Sequence, residues 1–426
     1  MANLKLRVAV LGGGIRGTAI AALLAQSNTC KVMLFERNRI ASGTSSTNHG
    51  RIHCGAGLWR KNINAMAHRH QAGGRLISQL STDFGQQEAA LYLIESLNDV
   101  QEFEVACQRY AIPHKQINVQ SPLIQIDQFA AAYEIPEYAF SPAHLAASLA
   151  GYAEDAGASI HTRSEVQTIE PGMKRPFKIR LANGVNIEVD VIINALGSWA
   201  NQIRSEMPLP RINLSLHSWR ILCLYTPTAL KGNTLNRVIT IIEPKDIVPS
   251  MIPHTSWMVF GCRLEPDILT KPDDEYTERW RPFHRNDKMD RTLLEVHAKY
   301  FLPLQFLDSQ DLMKRLYSFS GVYPTFAGVY PNYDEKQEST FQLLQSESVP
   351  NYYVVCGENA TTSIIDAVDT VQAILEQVGP AHNLSPDYAF HLLKTLVTNF
   401  TQETYYDSSP MIWEEEYEIS KESEAA

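Results

Sequence analysis

Arg7-Val8-Ala9-Val10-Leu11 runs into Gly12-Gly13-Gly14-Ile15-Arg16-Gly17, then into an Ala-, Leu- and Ile-rich stretch to Gln26, and then into Val32-Met33-Leu34-Phe35-Glu36. The order is apolar strand, glycine turn, helix without a breaker after Gly17, and a second apolar strand ending in an acid. That arrangement holds the diphosphate of a dinucleotide. Gly12 allows the tight turn, Gly14 lets the backbone approach the pyrophosphate, and Gly17 lets the helix pack closely on the sheet. The helix N-terminus adds N–H groups and positive dipole. Glu36 falls 19 residues after Gly17, where a carboxylate accepts hydrogen bonds from ribose hydroxyls and repels a ribose phosphate. The turn therefore disfavours an NADP-type ligand. It does not separate NAD from FAD.

The bulk numbers set outer limits. A chain of 426 residues suggests two domains. Apolar content of 44% and charged content of 20% are ordinary for a globular protein. A formal net charge of -10 argues against a nucleic-acid partner, which needs a basic patch. No apolar run reaches the length of a membrane span. The first apolar run reads as the β-strand itself, so no secretory signal is expected. Six cysteines (Cys30, Cys54, Cys107, Cys223, Cys262 and Cys356) are scattered without CxxC or metal-ligand spacing. Reduced thiols in a cytoplasmic protein, with no metal site, are the expectation. The stretch from Glu414 to Ala426 is acidic and poor in core formers, which predicts a frayed or disordered tail.

Along the chain, Ser42 to Gly55 forms a small, hydroxyl-rich loop carrying His49 and His53. Such a loop suits contact with phosphates and a planar ring. Helices are predicted over about Asn62 to Leu80 and Leu91 to Tyr110. Ser141-Pro142 starts another, with Ser141 as N-cap and Pro142 at the first helical position, and Gly157 stops it. Strands follow over 159–161, 165–169 and 177–181. Asn183-Gly184 signals a hairpin into 185–189. Asp190 to Gly197 reads as a buried parallel strand. From Ser215 to Phe260 short strands separated by turns predict an antiparallel sheet and a second domain. Arg291 to Tyr300 reads as a helix. Tyr352 to Gly357 and Thr362 to Val378 return to strand–turn–helix. The first domain is thus discontinuous, with the second inserted into it.

Four segments together carry a family resemblance. They are the Gly12–Gly17 turn with Glu36, the Thr44–Gly55 loop with its Asn48-His49-Gly50 and His53-Cys54-Gly55, the run Asn194-Ala195-Leu196-Gly197-Ser198-Trp199-Ala200, and Gly357-Glu358-Asn359-Ala360-Thr361-Thr362-Ser363. The chain resembles the D-amino-acid-oxidase-like FAD-dependent oxidoreductases, nearest the glycerol-3-phosphate dehydrogenase and 2-hydroxyglutarate dehydrogenase branch. The resemblance selects FAD over NAD. It implies an α/β fold: a Rossmann-like FAD-binding domain, discontinuous in sequence, with an inserted α+β substrate domain built on an antiparallel sheet. Residues 1–85, 140–212 and 348–380 fall to the FAD domain, 86–139 and 213–347 to the substrate domain, and 381–426 to a C-terminal helix and acidic tail. By the same resemblance, Gly12, Gly14, Ile15, Arg16 and Gly17 hold the diphosphate, and Glu36 with Arg37 the adenosine ribose. Thr44, Ser45, Ser46, Asn48, His49 and Gly50 lie near the diphosphate and ribityl chain. Val166 meets adenine through its backbone, and Ala195, Gly197 and Trp199 line the cofactor path. Gly357, Asn359, Ala360, Thr361 and Thr362 face the ribityl chain and the pyrimidine edge of the flavin. A helix N-terminus there stabilises the negative charge that reduction brings.

The chain departs from the family at the substrate position. Tyr317-Ser318-Phe319-Ser320-Gly321-Val322-Tyr323-Pro324 resembles a segment that usually reads Gly-x-Arg-Pro, whose arginine clamps an anionic substrate. Tyr323 cannot form that bidentate charged pair. Either another cation substitutes, with Arg51, Arg60 and Arg220 as candidates, or the substrate is larger and less anionic. His53 and then His49 are the candidates for general base, flavin hydrogen-bonding or covalent flavin attachment, because imidazole titrates near neutrality. Tyr323 is a further acid/base or orienting candidate and His254 a further substrate contact. Cys54 reads as a small filler, since no feature lowers its pKa. The expected function is removal of hydride from a hydroxyl-bearing carbon of a small hydroxy acid or polyol, with His53 taking the proton. The electron acceptor is open among oxygen, a quinone and a partner protein. Two alternatives stay open: a flavin amine or amino-acid oxidase acting on a biosynthetic intermediate, and an FAD-binding subunit without turnover.

Overall fold

The computed structural model describes residues 5–27, 29–59, 64–81, 88–119, 124–225, 237–244, 248–254, 257–261, 268–269, 280–282, 288–305, 316–326, 341–357, 359–378 and 388–400. Arg60, Cys262 and the acidic tail named above lie outside these residues.

The apolar strand Leu6–Leu11 is the middle of a six-stranded sheet. Its spatial order is Phe341–Ser346, Val349–Gly357, Val191–Asn194, Leu6–Leu11, Cys30–Phe35 and Ser159–His161. The last five run parallel, and Phe341–Ser346 pairs antiparallel at the edge. Strands buried on both faces read as continuous apolar runs, which is what Val8 to Leu11 and Val191 to Ile193 are. The helix Ile15–Ala25 is apolar nearly all round and buried along most of its length. It packs on the helices Pro142–Asp155 and Ser363–Val378, and on Tyr388–Asn399. The cap at Pro142–Asp155 is local chemistry: the Ser141 side chain accepts from the His144 N–H, and Pro142 sits where no N–H is needed. Gly157, at φ +97°, takes the left-handed conformation that ends it. A smaller sheet follows, in the order Asn186–Val189, Phe177–Leu181, Val166–Pro171 and Arg204–Ser205, with Gly184 at φ +85° in its turn.

The inserted part builds a second large sheet, antiparallel in most of its pairings. A long antiparallel ladder pairs Leu214–Tyr225 with Leu316–Phe326. Trp257–Gly261, Ser250–Pro253 and Ile239–Ile242 continue it, and Ile239–Ile242 runs parallel to Ala90–Ile94. The helix expected from Leu91 to Tyr110 divides here into that strand and the helix Leu97–Arg109. Leu91, Tyr92, Leu93 and Ile94 are all buried, and a short apolar run buried on both faces has no period that separates helix from strand. Phe341–Ser346 hydrogen-bonds to the first sheet, so that sheet extends ahead of residue 348. No helix among the described residues is long and apolar enough to cross a membrane.

A buried ion pair joins a short two-stranded sheet to the second large sheet. Arg51, in the short strand Arg51–Ile52 paired to Tyr138–Ala139, donates to Glu137 through Nε at 2.8 Å and also through Nη2. Arg51 Nη2 and the Glu137 carboxylate both bond the hydroxyl of Tyr92, a residue of the second sheet. The Cys54 N–H donates to the other Glu137 oxygen at 2.9 Å. Glu137 is fully buried and Arg51 5% exposed, so removing one partner strands a charge away from water. Glu137→Ala is expected to destabilise the protein by about 3–5 kcal/mol in urea unfolding. Arg51→Met combined with Glu137→Gln strands no charge and still offers an acceptor to Cys54. It should cost clearly less, and equal losses from the two variants would count against this account.

Candidate active site

A cleft of about 460 Å³ opens at the carboxyl ends of the parallel strands Leu6–Leu11, Cys30–Phe35 and Val191–Asn194, where ligands bind in open α/β sheets. Of the residues read from the sequence, Gly12, Gly14, Ile15, Arg16, Glu36, Arg37, Thr44, Ser45, Asn48, Val166, Ala195, Gly197, Trp199, Gly357, Asn359 and Ala360 line it. Gly17, Ser46, Thr361 and Thr362 are buried behind its wall. Gly12, at φ +103°, lies so close to Ala195 that a Cβ would stand 2.7 Å from its carbonyl oxygen. A Cβ on Gly17 would stand 2.0 Å from the Gly12 carbonyl oxygen, which is what brings the helix onto the turn. Gly14 caps that helix without a side chain, leaving the first turn open to an anion. The Ile15 N–H donates to Ser45 Oγ at 3.1 Å. Glu36 accepts from the N–H groups of Gly13 at 2.8 Å and Asn38 at 2.9 Å, which aims its carboxylate at the turn. Arg37 stacks over Trp199 at 5.0 Å. These features fit an extended dinucleotide diphosphate with adenosine toward Glu36 and Val166, and its other end toward Asn359.

Two arginines are engaged by carboxylates. The Arg16 guanidinium bonds Asp366 at 2.8 Å and the Asn359 carbonyl, tying the first turn to the helix Ser363–Val378, while Arg16 still lines the cleft. Arg51, expected as a substrate cation, is committed to Glu137 and Tyr92. A lone guanidinium is too costly to bury, and Glu137 supplies its counter-charge. The third candidate, Arg220, and the position of the missing family arginine, Tyr323, lie on the two strands of the long antiparallel ladder. Arg220 is opposite Ser320, and Tyr323 is opposite His217. Burial and Glu137 push the Cys54 thiol well up, so it is inert. No group of three or more His, Cys, Asp or Glu among the described residues could hold a metal ion.

Behind the Asn359 wall four histidines gather, none of them among the residues that line the cleft. His49 and His53 stand with ring centroids 5.7 Å apart, and His53 and His70 5.9 Å apart. His254 Nε2 lies 3.2 Å from the His49 carbonyl oxygen, and its ring abuts Gly50, at φ +72°. The His53 N–H donates to Thr361 Oγ1 at 3.1 Å, and that hydroxyl donates to the Arg51 carbonyl at 3.4 Å. His70 was not among the residues read from the sequence. Its signals were a histidine on the apolar stripe of Met66, Ala67 and Ile77 and a Gly73-Gly74 pair inside the same helix, Asn64–Leu80. A Cβ on Gly73 would stand 2.3 Å from the Thr361 carbonyl oxygen, and one on Gly74 2.9 Å from Ile52. The glycines thus let this helix approach both halves of the site.

Burial, and then neighbouring charge, holds His49 and His53 well below the usual histidine range. Burial takes His70 down to about 4, against an opposing pull from Glu137. These are neutral imidazoles, able to accept a proton. Unfolding releases them to an ordinary value near 6.5, so the unfolded chain binds more protons below that pH. Stability is therefore full above about pH 6.5 and falls as the pH drops toward 4. His70 alone should contribute a slope of about 1.4 kcal/mol per pH unit within that window. Urea unfolding at several values from pH 4.5 to 7 should show His70→Leu with one proton less in its pH dependence, and identical slopes would refute the assignment.

The family description FAD dependent oxidoreductase (DAO) matches residues 7–364 of the chain. The chain is 23% identical over 399 residues to the anaerobic glycerol-3-phosphate dehydrogenase subunit A1 of Haloferax volcanii, covering 87% of this chain and 64% of that one. It thus spans just under two thirds of that relative's length. Among solved structures, the dithionite-reduced L-α-glycerophosphate oxidase of Mycoplasma pneumoniae with FAD bound has a TM-score of 0.64 at 19% identity, covering 87% of this chain and 94% of that one. The glycine oxidase of Geobacillus kaustophilus has a TM-score of 0.64 at 18% identity, covering 88% and 95%. Glycine turn, carboxylate and match point the same way: the chain belongs to the DAO family of FAD-dependent oxidoreductases, and FAD is its cofactor.

Proposed function

We propose that this enzyme oxidises a small molecule at a carbon bearing a hydroxyl, and that His53 takes the hydroxyl proton. The observation that carries the reading is the place of His53: its backbone N–H donates to Thr361 Oγ1 behind the Asn359–Ala360 wall of the cleft, and burial holds its imidazole below the usual histidine range. A base must be unprotonated at working pH and held in place, and His53 satisfies both conditions. Bound FAD supplies the hydride acceptor. Around His53 the chain provides orientation. Thr361 holds the backbone on one side of the site, and Glu137 holds Arg51 and Cys54 on either side of the histidine. Pairing with Glu137 offsets the Arg51 charge, so the cation opposes protonation of His53 less than a lone guanidinium would. The helix Ser363–Val378 presents its N-terminus beside Thr361 and Thr362, where its dipole favours negative charge entering the cleft. The hydroxyl class also agrees with the glycerol-3-phosphate dehydrogenase named above as a relative.

A second reading, oxidation of an amine, is favoured by the fold-level likeness to glycine oxidase. A neutral imidazole can equally remove a proton from an ammonium group. Anaerobic bleaching of the bound flavin against hydroxy acids, polyol phosphates and amines separates the two. We expect bleaching by a hydroxy compound and not by amines. His53→Ala should slow that bleaching by roughly a hundredfold or more, and unchanged single-turnover reduction would remove His53 from the role.

A further inference from the structure

We propose that His70 is a positioning residue for His53, acting from the core side through Asn359 and Thr361. The proposal rests on the reading of His53 as proton acceptor. His70 projects from the helix Asn64–Leu80 and is 5% exposed. Its Nε2 faces Asn359 Nδ2 at 3.4 Å. The orientation of the Asn359 amide is decided on its other side, where Oδ1 accepts from the Thr361 N–H at 2.7 Å. The Asn359 amino group must then point at His70, and an amino group only donates. His70 Nε2 is therefore the acceptor, and a neutral ring carries its single proton on Nδ1.

The bonds close a circuit. His70 Nε2 accepts from Asn359, Asn359 Oδ1 accepts from the Thr361 backbone N–H, and Thr361 Oγ1 accepts from the backbone N–H of His53, so the chain of bonds reaches the backbone that carries the imidazole. The circuit returns to His70 by the contact of the two rings at 5.9 Å. The glycine pair Gly73-Gly74 brings the same helix against Thr361 and Ile52, so helix, turn and histidine loop cannot shift independently. A residue that only filled the apolar stripe needs no nitrogen. His70 buries two, and Nδ1 has no partner among the described residues. Such a group costs free energy and calls for an explanation; an acceptor required by Asn359 supplies one. Protonating His70 at Nε2 would break the Asn359 bond, and burial opposes it as well. The charged and titratable groups acting on the two rings are Arg51, Arg69 and Glu137, with His49 and His254 beyond.

The test uses the FAD-loaded enzyme carrying 15N-histidine. Long-range proton–nitrogen correlation spectra should show His70 as the Nδ1–H tautomer, unprotonated at Nε2, from pH 5.5 to 8. An Nε2–H tautomer overturns the proposal without reference to activity. The kinetic arm reads anaerobic flavin reduction by the hydroxy compound that bleaches the wild-type enzyme. His70→Leu should lower the limiting rate at least about tenfold with little change in KM, since small misplacements of a base act on the reacting complex. His70→Gln, whose amide oxygen can accept from Asn359, should recover most of that rate and guards against a mere folding defect. In a His53→Ala background, His70→Leu should have no further effect. A further loss there, or an unchanged rate for His70→Leu alone, overturns the proposal. Unchanged reduction in His53→Ala alone instead sinks the reading of His53, and the tautomer still judges the His70 arrangement on its own.

Discussion

The Glu137 carboxylate is the constraint on which the site depends. It lies fully buried, and its oxygens are occupied by Arg51, Tyr92 and the Cys54 N–H. Burying a carboxylate and a guanidinium together is costly, and their attraction repays it only when the remaining polar atoms are also bonded. Here they are. The return is positional: Arg51 and Cys54 flank His53, Tyr92 belongs to the second sheet, and Glu137 precedes the short strand Tyr138–Ala139. One carboxylate thereby holds the histidine loop to the second sheet and to the segment that enters Tyr138–Ala139.

A second buried carboxylate performs the matching task on the cofactor side. Asp366, in the first turn of Ser363–Val378, bonds Arg16, Arg69 and Thr362. Arg16 belongs to the first helix of the chain and Arg69 to the helix that carries His70. The domain is assembled from segments 350 residues apart in sequence, and this cluster fixes their relative positions where they border the cleft. An acid in a first helical turn is also favoured by the dipole. Two arginines from other helices pair with it there, so its charge is largely offset and the helix end keeps its attraction for an incoming anion.

What could be read from the sequence was local. The glycine turn, the acid at Glu36, the Ser141-Pro142 cap and the Asn183-Gly184 hairpin each declare themselves within a few residues, because sterics and short hydrogen bonds produce them. What could not be read depends on distant partners. Arg51 looked like a free cation because Glu137 lies 86 residues away. The tie between Arg16 and Asp366 was hidden for the same reason, 350 residues separating them. The strand Ala90–Ile94 merged into a predicted helix because burial on both faces erased its alternation. His70 carried its signal in its helix, in a glycine pair that makes no sense until the Thr361 turn is seen against it.

The clustering of four histidines follows from the same balance. Imidazoles packed this closely cannot all be charged, and burial, more than any carboxylate, sets the state of His49, His53 and His70, which it holds below the usual histidine range. That leaves Glu137 free to offset Arg51, so the cluster stands beside a pair of near-zero net charge. A proton arriving at His53 is then the only uncompensated positive charge introduced there. The nearby N-terminus of Ser363–Val378 favours negative charge in the cleft. Removing a hydride and a proton from one carbon–heteroatom unit delivers charges of opposite sign to these neighbouring places. Each arrives close to the other, and their attraction offsets what either would cost alone in a site of low polarity. The arrangement therefore suits two-electron oxidation of a C–H bond beside a removable proton, whichever heteroatom bears it.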